Sequence, residues 1–299
     1  MLYTVNILVK VEQRCSRMHQ IDLLVSPFMT DKTFAFQSGL PRTGSTLLSS
    51  ILNQNPDIHA GPNSPLYGIM GHVVDGFMNT EQWSAYPKNE VLPNVITGLF
   101  HSYYSDRTEK LIIDKSRHWT LPKFYNLIGA LGYQPKVIVL VRPILEILAS
   151  FITLCHQNEG KKNFIDAEIE QAGGLFPGMN IDDARCDILM RYDSSLYASL
   201  VGARFAYQSG NKNTFHFVRY ADLVTDTKNI IDGIYAFLGI DKYEHDFNNI
   251  ENKFAESDEV YGLLGMHDIR PKISASRVNP EAVLSDYVLN KYGNSDFMK

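Results

Sequence analysis

Gly39-Leu40-Pro41-Arg42-Thr43-Gly44-Ser45-Thr46, residues 39–46, stands between a run that reads as a strand and a run that reads as a helix. The run before it, Thr33–Ser38 (TFAFQS), is short and aromatic-rich, as a buried strand is. The run after it, STLLSSILNQN, places Leu47, Leu48, Ile51 and Leu52 at helical spacing before Asn55-Pro56 ends the pattern. The spacing inside the turn is that of the phosphate-binding loop GxxxxGK[ST], with Ser45 in place of the lysine. Gly44 lets backbone N–H groups approach an anion, and the following helix aims its positive end at it. The missing lysine removes the group that reaches β- and γ-phosphates, and with it the usual basis of magnesium-dependent NTP chemistry. Arg42 supplies a permanent forked cation instead.

The same alternation recurs further along. LIID (111–114) precedes TLPKFYNLIGALG, KVIVLV (136–141) precedes PILEILASFITL, and FHFVRY (215–220) precedes ADLVTDTKNIIDGIYAFLG. Near-continuous apolar strands alternating with helices predict a parallel sheet covered on both faces. The expected fold is therefore α/β, a three-layer P-loop-type arrangement with a central parallel sheet flanked by helices. No interdomain linker interrupts residues 32–299, which read as one domain. Residues 1–31 pair with nothing in this pattern and read as an N-terminal extension; its removal through residue 28 is expected to leave the fold and nucleotide binding intact. A long helix is expected from Asp182 to about Gln208. The stretch 158–180, with two adjacent glycines and a Phe-Pro-Gly, reads as a mobile excursion over the acceptor.

Bulk properties narrow the chemistry. The chain has 299 residues, 44% of them hydrophobic and 20% charged, an ordinary globular balance. A net charge of −5 argues against a nucleic-acid binder, so an anionic ligand needs a local basic cluster. Three cysteines without a CxxC pair fit a reducing compartment, and nine histidines without a ligand-spaced motif predict no metal. The first apolar run precedes Lys10, Glu12 and Arg14 rather than following charge, and it is too short for a membrane span. The expectation is a cytoplasmic protein with no membrane and no nucleic-acid partner.

A second motif reinforces the first. KVIVLV ends at Arg142, Pro143 suits a first helical turn, and Ser150 follows eight residues after the arginine. Eight residues are a little over two helical turns, so the hydroxyl returns to nearly the starting face. An arginine at the strand end and a serine on that face can grip one more phosphate at the carboxyl edge of the sheet, where open α/β sheets bind ligands.

These residues resemble the PAPS-dependent sulfotransferase superfamily, where PAPS is 3′-phosphoadenosine 5′-phosphosulfate. LPRTGSTLLSSILNQNP is similar to its 5′-phosphosulfate loop, VRPILEILASF to its 3′-phosphate motif, and VRYADLV followed by FLGI to its closing strand and helix, together over roughly residues 33–240. NPDIHAGPNSP and the tail HDIRPKISASRVNPEAVL look most like the bacterial and tyrosylprotein branches. The resemblance implies a PAPS donor, the product 3′,5′-adenosine bisphosphate (PAP) and no metal. It implies that Arg42, Thr43, Gly44, Ser45, Thr46 and Leu47 surround the 5′-phosphosulfate. It further implies that Arg142 and Ser150 hold the 3′-phosphate, and that Lys272 or Arg277 closes over the nucleotide.

Sulfuryl transfer needs alignment and charge stabilisation more than covalent help. Arg42 and the loop N–H groups suit the charge that grows on the departing phosphate. Lys115, in IIDKSRHW, falls where the superfamily has a lysine serving the bridging oxygen. The tyrosylprotein enzymes carry a glutamate base at the position that Asn63 takes here, and an amide cannot remove a proton. His118 is the candidate base, with His59 and His267 behind it. Tyr67, Trp83, Tyr86 and Trp119 are candidates to line the pocket of an acceptor whose class (small molecule, sugar, lipid or peptide) the residues do not name. Two rivals stand beside this reading. A kinase-like NTP-dependent transferase would use Asp114 for magnesium, but leaves Arg142 and Ser150 without a task. A non-catalytic nucleotide-binding relative would treat Asn63 as a mark of lost chemistry.

Overall fold

In the central strands, residues one apart feed opposite layers, as the pleat requires. In β1 (Thr33–Gly39), Phe34 and Phe36 enter one core while Ala35 enters the other. In β4 (Val137–Val141) the three valines share the side of the phenylalanines, and Ile138 and Leu140 share that of Ala35. The computed structural model describes residues 32–123, 134–175, 177–274 and 278–298. The expected extension 1–31 and Arg277 lie outside the described residues.

Three more strands, β2 (Ile58–Asn63), β3 (Leu111–Lys115) and β5 (Phe215–Arg219), complete a sheet of order β2-β3-β1-β4-β5. Every neighbouring pair is parallel. The helices in chain order are α1 (Ser45–Leu52), α2 (Leu66–Met78), α3 (Glu81–Ala85), α4 (Val91–Tyr103), α5 (Ile144–Gln157) and α6 (Phe164–Gln171). Then follow α7 (Ile181–Leu189), α8 (Ser195–Gln208), α9 (Tyr220–Thr225), α10 (Thr227–Leu238), α11 (Pro280–Val283) and α12 (Asp286–Tyr292). Leu48, Ile51 and Leu52 of α1 and Ile231 and Ile234 of α10 cover one face of the sheet. Met70 of α2, Ile96 and Phe100 of α4 and Ala203 of α8 cover the other. Complete burial of a side chain such as Ile51 contributes about 1.5–3 kcal/mol. The architecture is the three-layer α/β sandwich around a parallel sheet that the strand–helix alternation predicts.

Three local expectations need correction. Strand β2 is not legible in the sequence, because Gly61-Pro62 interrupts its alternation, yet Ile58 and Ala60 pair with Leu111 and Ile113 of β3. The helix expected across 182–208 is two helices, because Ser194 caps the second: its hydroxyl accepts from Tyr197 N and donates 2.6 Å to the Leu189 carbonyl. The stretch 158–180 contains α6, capped by Asn163, with Ile165 and Ile169 buried and Asp166 gripped by the fork of Arg185 at 2.7 and 2.8 Å. Hydrophobic anchoring and a bidentate ion pair hold that half of the expected excursion in place.

Candidate active site

The loop after β1 holds Arg42 in the left-handed region, at φ 58°, and Gly44 follows at φ 79° as the N-cap of α1. A side chain at Gly44 would press a Cβ to within 3.0 Å of the Tyr220 ring, so the position admits glycine on two grounds. Thr43 is turned inward, its hydroxyl donating 2.7 Å to the Leu40 carbonyl. Beneath the loop, the buried Gln37 amide donates 2.9 Å to the Ser45 carbonyl while Ser49 donates 3.2 Å to its oxygen. The turn is thus fixed from inside, and its outer surface is left to a ligand.

Strands β1 and β4 are neighbours, with Gly39 opposite Leu140, so the two phosphate motifs emerge side by side. Arg42 Nε donates 3.2 Å to Ser150 Oγ, and its Nη1 donates to the Met266 carbonyl. Arg142 Nη1 donates 3.0 Å to the Arg42 carbonyl, its Nε pairs with Glu146 at 2.9 Å, and its guanidinium lies 4.4 Å over the Tyr220 ring. One cavity of about 450 Å³ is lined by Arg42, Gly44, Ser45, Thr46, Leu47, Arg142, Ser150 and Lys272 among the expected residues. Thr43 does not line it.

Sequence reasoning missed a third guanidinium in the same cavity, that of Arg117. It follows Lys115 by two residues, and Ser38 Oγ pins its backbone carbonyl at 2.9 Å. Among the described residues its guanidinium finds no hydrogen-bond acceptor. Burial holds Arg117 below the usual arginine range. Arg42 falls to about 10, first through burial and then through repulsion from Arg142 and Arg117. Arg270 adds a further cation to the lining, against a single carboxylate, Asp268. The cationic excess that the net charge made necessary is here, in one place.

Lys115, at the tip of β3, stands outside that cavity in a second cluster. Its ammonium meets Glu256 Oε2 at 3.2 Å, with side chains only 5% and 11% exposed. Glu256 Oε1 accepts from Asn63 N at 3.3 Å and from Asn63 Nδ2 at 3.0 Å. His267 Nε2 lies 3.5 Å from Glu256 Oε2, and its Nδ1 lies 2.6 Å from Asp258 Oδ1. Burial draws Lys115 below its ordinary range against the pull of Glu256. Burial pushes Glu256 up, but Lys115, His267 and Asn63 together bring it below the usual carboxylate range. A sequence signal for Glu256 existed in the acidic run 256–259, a turn away from His267, but it lies far from Asn63 in the chain.

Of the three histidines considered as base, His267 is the one that the structure brings to Lys115. His118 is not among the side chains lining the cavity. Its ring packs 4.6 Å from that of Tyr67, and burial, then Arg117, holds it at about 4. His59 is buried between the rings of Tyr104 and Phe254. Trp119 belongs to the core, donating 2.7 Å to Asp114, which also accepts from Tyr104 at 2.7 Å. Asp114 is fully buried on that side, and burial pushes its carboxyl up, which leaves it poorly placed to hold magnesium beside a nucleotide. Trp83 and Tyr86 line a separate apolar groove with His72 and Phe77.

The cationic loop after β1, Arg142 at the tip of β4 with Ser150 on α5, and Lys115 at the tip of β3 thus lie at one edge of the parallel sheet, with β1 between β3 and β4. The family model described as Sulfotransferase family matches residues 35–245, and the chain belongs to that family. No curated protein matches it significantly in sequence. Among solved structures it is similar to the sulfotransferase domain from the Synechococcus PCC 7002 olefin synthase, at 16% identity, TM-score 0.47, covering 94% of this chain and 100% of that one. It is similar also to the sulfotransferase domain from the curacin biosynthetic pathway, at 15% identity, TM-score 0.46, covering 89% and 93%. A third is mouse sulfotransferase SULT7A1 complexed with PAP, at 16% identity, TM-score 0.42, covering 72% and 60%.

Proposed function

We propose that this sulfotransferase takes its sulfuryl group from PAPS and passes it to a hydroxyl or amine acceptor by in-line displacement. The observation that carries the donor assignment is the convergence of Arg42, Arg117 and Arg142 on one cavity of about 450 Å³ at the N-terminus of α1. That volume lies within the range of nucleotide-sized pockets. The donor set also fits: the hydroxyls of Ser45 and Thr46 have no hydrogen-bond partner among the described residues, and guanidiniums match phosphate and sulfonate geometry bidentately. PAPS supplies an activated S–O bond to a phosphate leaving group.

In this reading Arg42 and the backbone N–H groups of residues 44–46 hold the 5′-phosphosulfate. Arg142, just before α5, and Ser150, on α5, hold the 3′-phosphate from the wall of the same cavity. Lys115 turns from Glu256 to the bridging oxygen as charge develops there. Arg117, two residues after Lys115 and lining the same cavity as Arg42, attends the sulfonate oxygens. Each contribution is electrostatic, and each is strongest where water is excluded.

Calorimetric titration with PAP, AMP and ATP tests the donor assignment. PAP should bind at least tenfold more tightly than AMP or ATP, because it alone uses Arg142 and Ser150. ATP as the preferred ligand would sink the reading and restore the kinase-like rival. Sulfate transfer from radiolabelled PAPS to an acceptor then separates an enzyme from a nucleotide-binding relative.

A further inference from the structure

The proposed reaction leaves one task without an owner, removal of the acceptor's proton, because Asn63 cannot perform it. We infer that Glu256, delivered to the tip of β3 by the chain segment after α10, is the general base of this site. The inference rests on the sulfuryl-transfer reading and adds a residue to it.

The carboxylate occupies the space that Asn63 bounds. Both donors of Asn63, backbone and side chain, end on Glu256 Oε1. A carboxylate has about four lone-pair sites. Two are taken on Oε1, and Lys115 takes one on Oε2. One lone pair on Oε2 remains, on the oxygen that lies beside the lysine assigned to the bridging oxygen. A proton acceptor and a leaving-group stabiliser therefore sit 3.2 Å apart at one strand tip.

His267 supports the carboxylate. The Asp258 carboxylate can only accept, so His267 carries a proton on Nδ1, and that bond holds Nε2 at 3.5 Å from Glu256 Oε2. The groups facing Glu256 are thus Lys115 and Asn63 from the sheet, His267 with Asp258 behind it, and Arg117 within electrostatic reach.

The segment that carries Glu256 is anchored rather than loosely draped. Asn158, at the end of α5, makes two bonds of 3.0 Å to the backbone of Leu264. Gly262, at φ 66°, lies so close to the Lys162 carbonyl that any Cβ would stand 2.0 Å from it. The Met266 carbonyl receives Arg42, and Ile250 N donates 2.8 Å to the Pro271 carbonyl. Such fixing positions the base before the acceptor arrives.

The step balances without a further reagent. The acceptor oxygen forms a bond to sulfur while its proton moves to Glu256 Oε2. The bond from sulfur to the 5′-phosphate oxygen breaks, and its electron pair stays on that oxygen, beside Lys115. The products are the sulfated acceptor and PAP, with the proton on Glu256.

The test gives wild-type and Glu256→Gln protein radiolabelled PAPS with a pool holding a phenol, an aliphatic alcohol, a sugar, an amine and a tyrosyl peptide. PAP affinity is measured in parallel. Loss of a general base lowers turnover by about 10²–10⁴, so Glu256→Gln should fall by that factor while its PAP Kd stays within about threefold of wild type. The acid limb of the turnover profile, present in wild type, should vanish in Glu256→Gln. Added formate should restore part of the turnover of Glu256→Ala, which a purely structural role would not allow. Near-wild-type turnover in Glu256→Gln overturns the inference, as does a loss of PAP affinity equal to the loss of rate. Failure of the wild-type protein to bind PAP would instead count against the donor assignment. Should Glu256→Gln fold poorly, Glu256→Asp keeps the charge, and its turnover must then exceed that of Glu256→Ala.

Discussion

The two ends of the site treat charge in opposite ways. Around one cavity Arg42, Arg117 and Arg142 gather with Glu146 paired to Arg142 alone, and burial, then repulsion from the other two guanidiniums, lowers the proton affinity of Arg42. At the tips of β2 and β3, Lys115 faces Glu256 and His267 faces Asp258, so each basic side chain already has a carboxylate. The first arrangement is relieved by a ligand that brings its own negative charge. The second is already satisfied and works by exchanging partners. Substitutions at the first end should therefore cost binding, and substitutions at the second should cost rate.

Lys115→Ala presses hardest on that division. It removes the donor assigned to the bridging oxygen, and loss of one such donor costs about 10²–10³ in turnover. PAP affinity by calorimetry should change little. The variant also leaves Glu256 buried without its cation, which costs about 3–5 kcal/mol of stability. Adding Glu256→Gln to Lys115→Ala should recover much of the lost urea midpoint without recovering turnover. If PAP affinity falls in step with turnover, the two ends are one electrostatic unit and the comparison fails.

Arg142→Ala should show the converse with a smaller effect. A hydrogen bond to a charged group is worth about 1.5–3 kcal/mol, or roughly 10–150-fold in affinity. PAP should weaken by a factor in that range, whereas AMP, which lacks the 3′-phosphate, should bind as before. Equal losses for both nucleotides would show that Arg142 serves the loop, through its bond to the Arg42 carbonyl, rather than the 3′-phosphate.

The same division explains what the sequence could reveal. Each half of the cationic end is one short run, 39–46 or 142–150, in which a strand tip, a turn and a helix start fix the geometry locally. Strand order then brings the runs together, and parallel order follows from the strand–helix rhythm. The neutralised end draws Asn63, Lys115 and the stretch from Glu256 to His267 from three separate segments that no local pattern links. Along the chain, the glutamate position of the tyrosylprotein enzymes falls on Asn63, whereas here the carboxylate reaches that place through space. Arg117 was legible in kind but not in place, since a charged residue after a strand is as often solvated as aimed at a ligand. Strand β2 was hidden by Gly61-Pro62, and with it the reason why Asn63 and Lys115 are neighbours.

His118 gives the smallest expected effect and the sharpest control. It follows Lys115 by three residues but packs against Tyr67 and lies off the cavity, so His118→Gln should keep turnover within about threefold. Its mark should appear in stability instead. Burial holds the folded histidine at about 4, against 6.5 for an exposed one. Between those values the unfolded chain binds a proton that the folded chain refuses, so the contribution of His118 rises with pH across this window. It is complete above pH 6.5, where both states are neutral, and it is lost as the pH falls towards 4. His59, His101, His216 and His245 are also held low, so the wild-type slope is shared. The difference between the urea midpoints of wild type and His118→Gln at pH 7 and pH 5 isolates one proton of it. The midpoint of the variant should fall less on acidification. A variant that matches wild type in this respect but loses transfer would place His118 among the reacting groups, and Glu256 would then share the proton rather than own it.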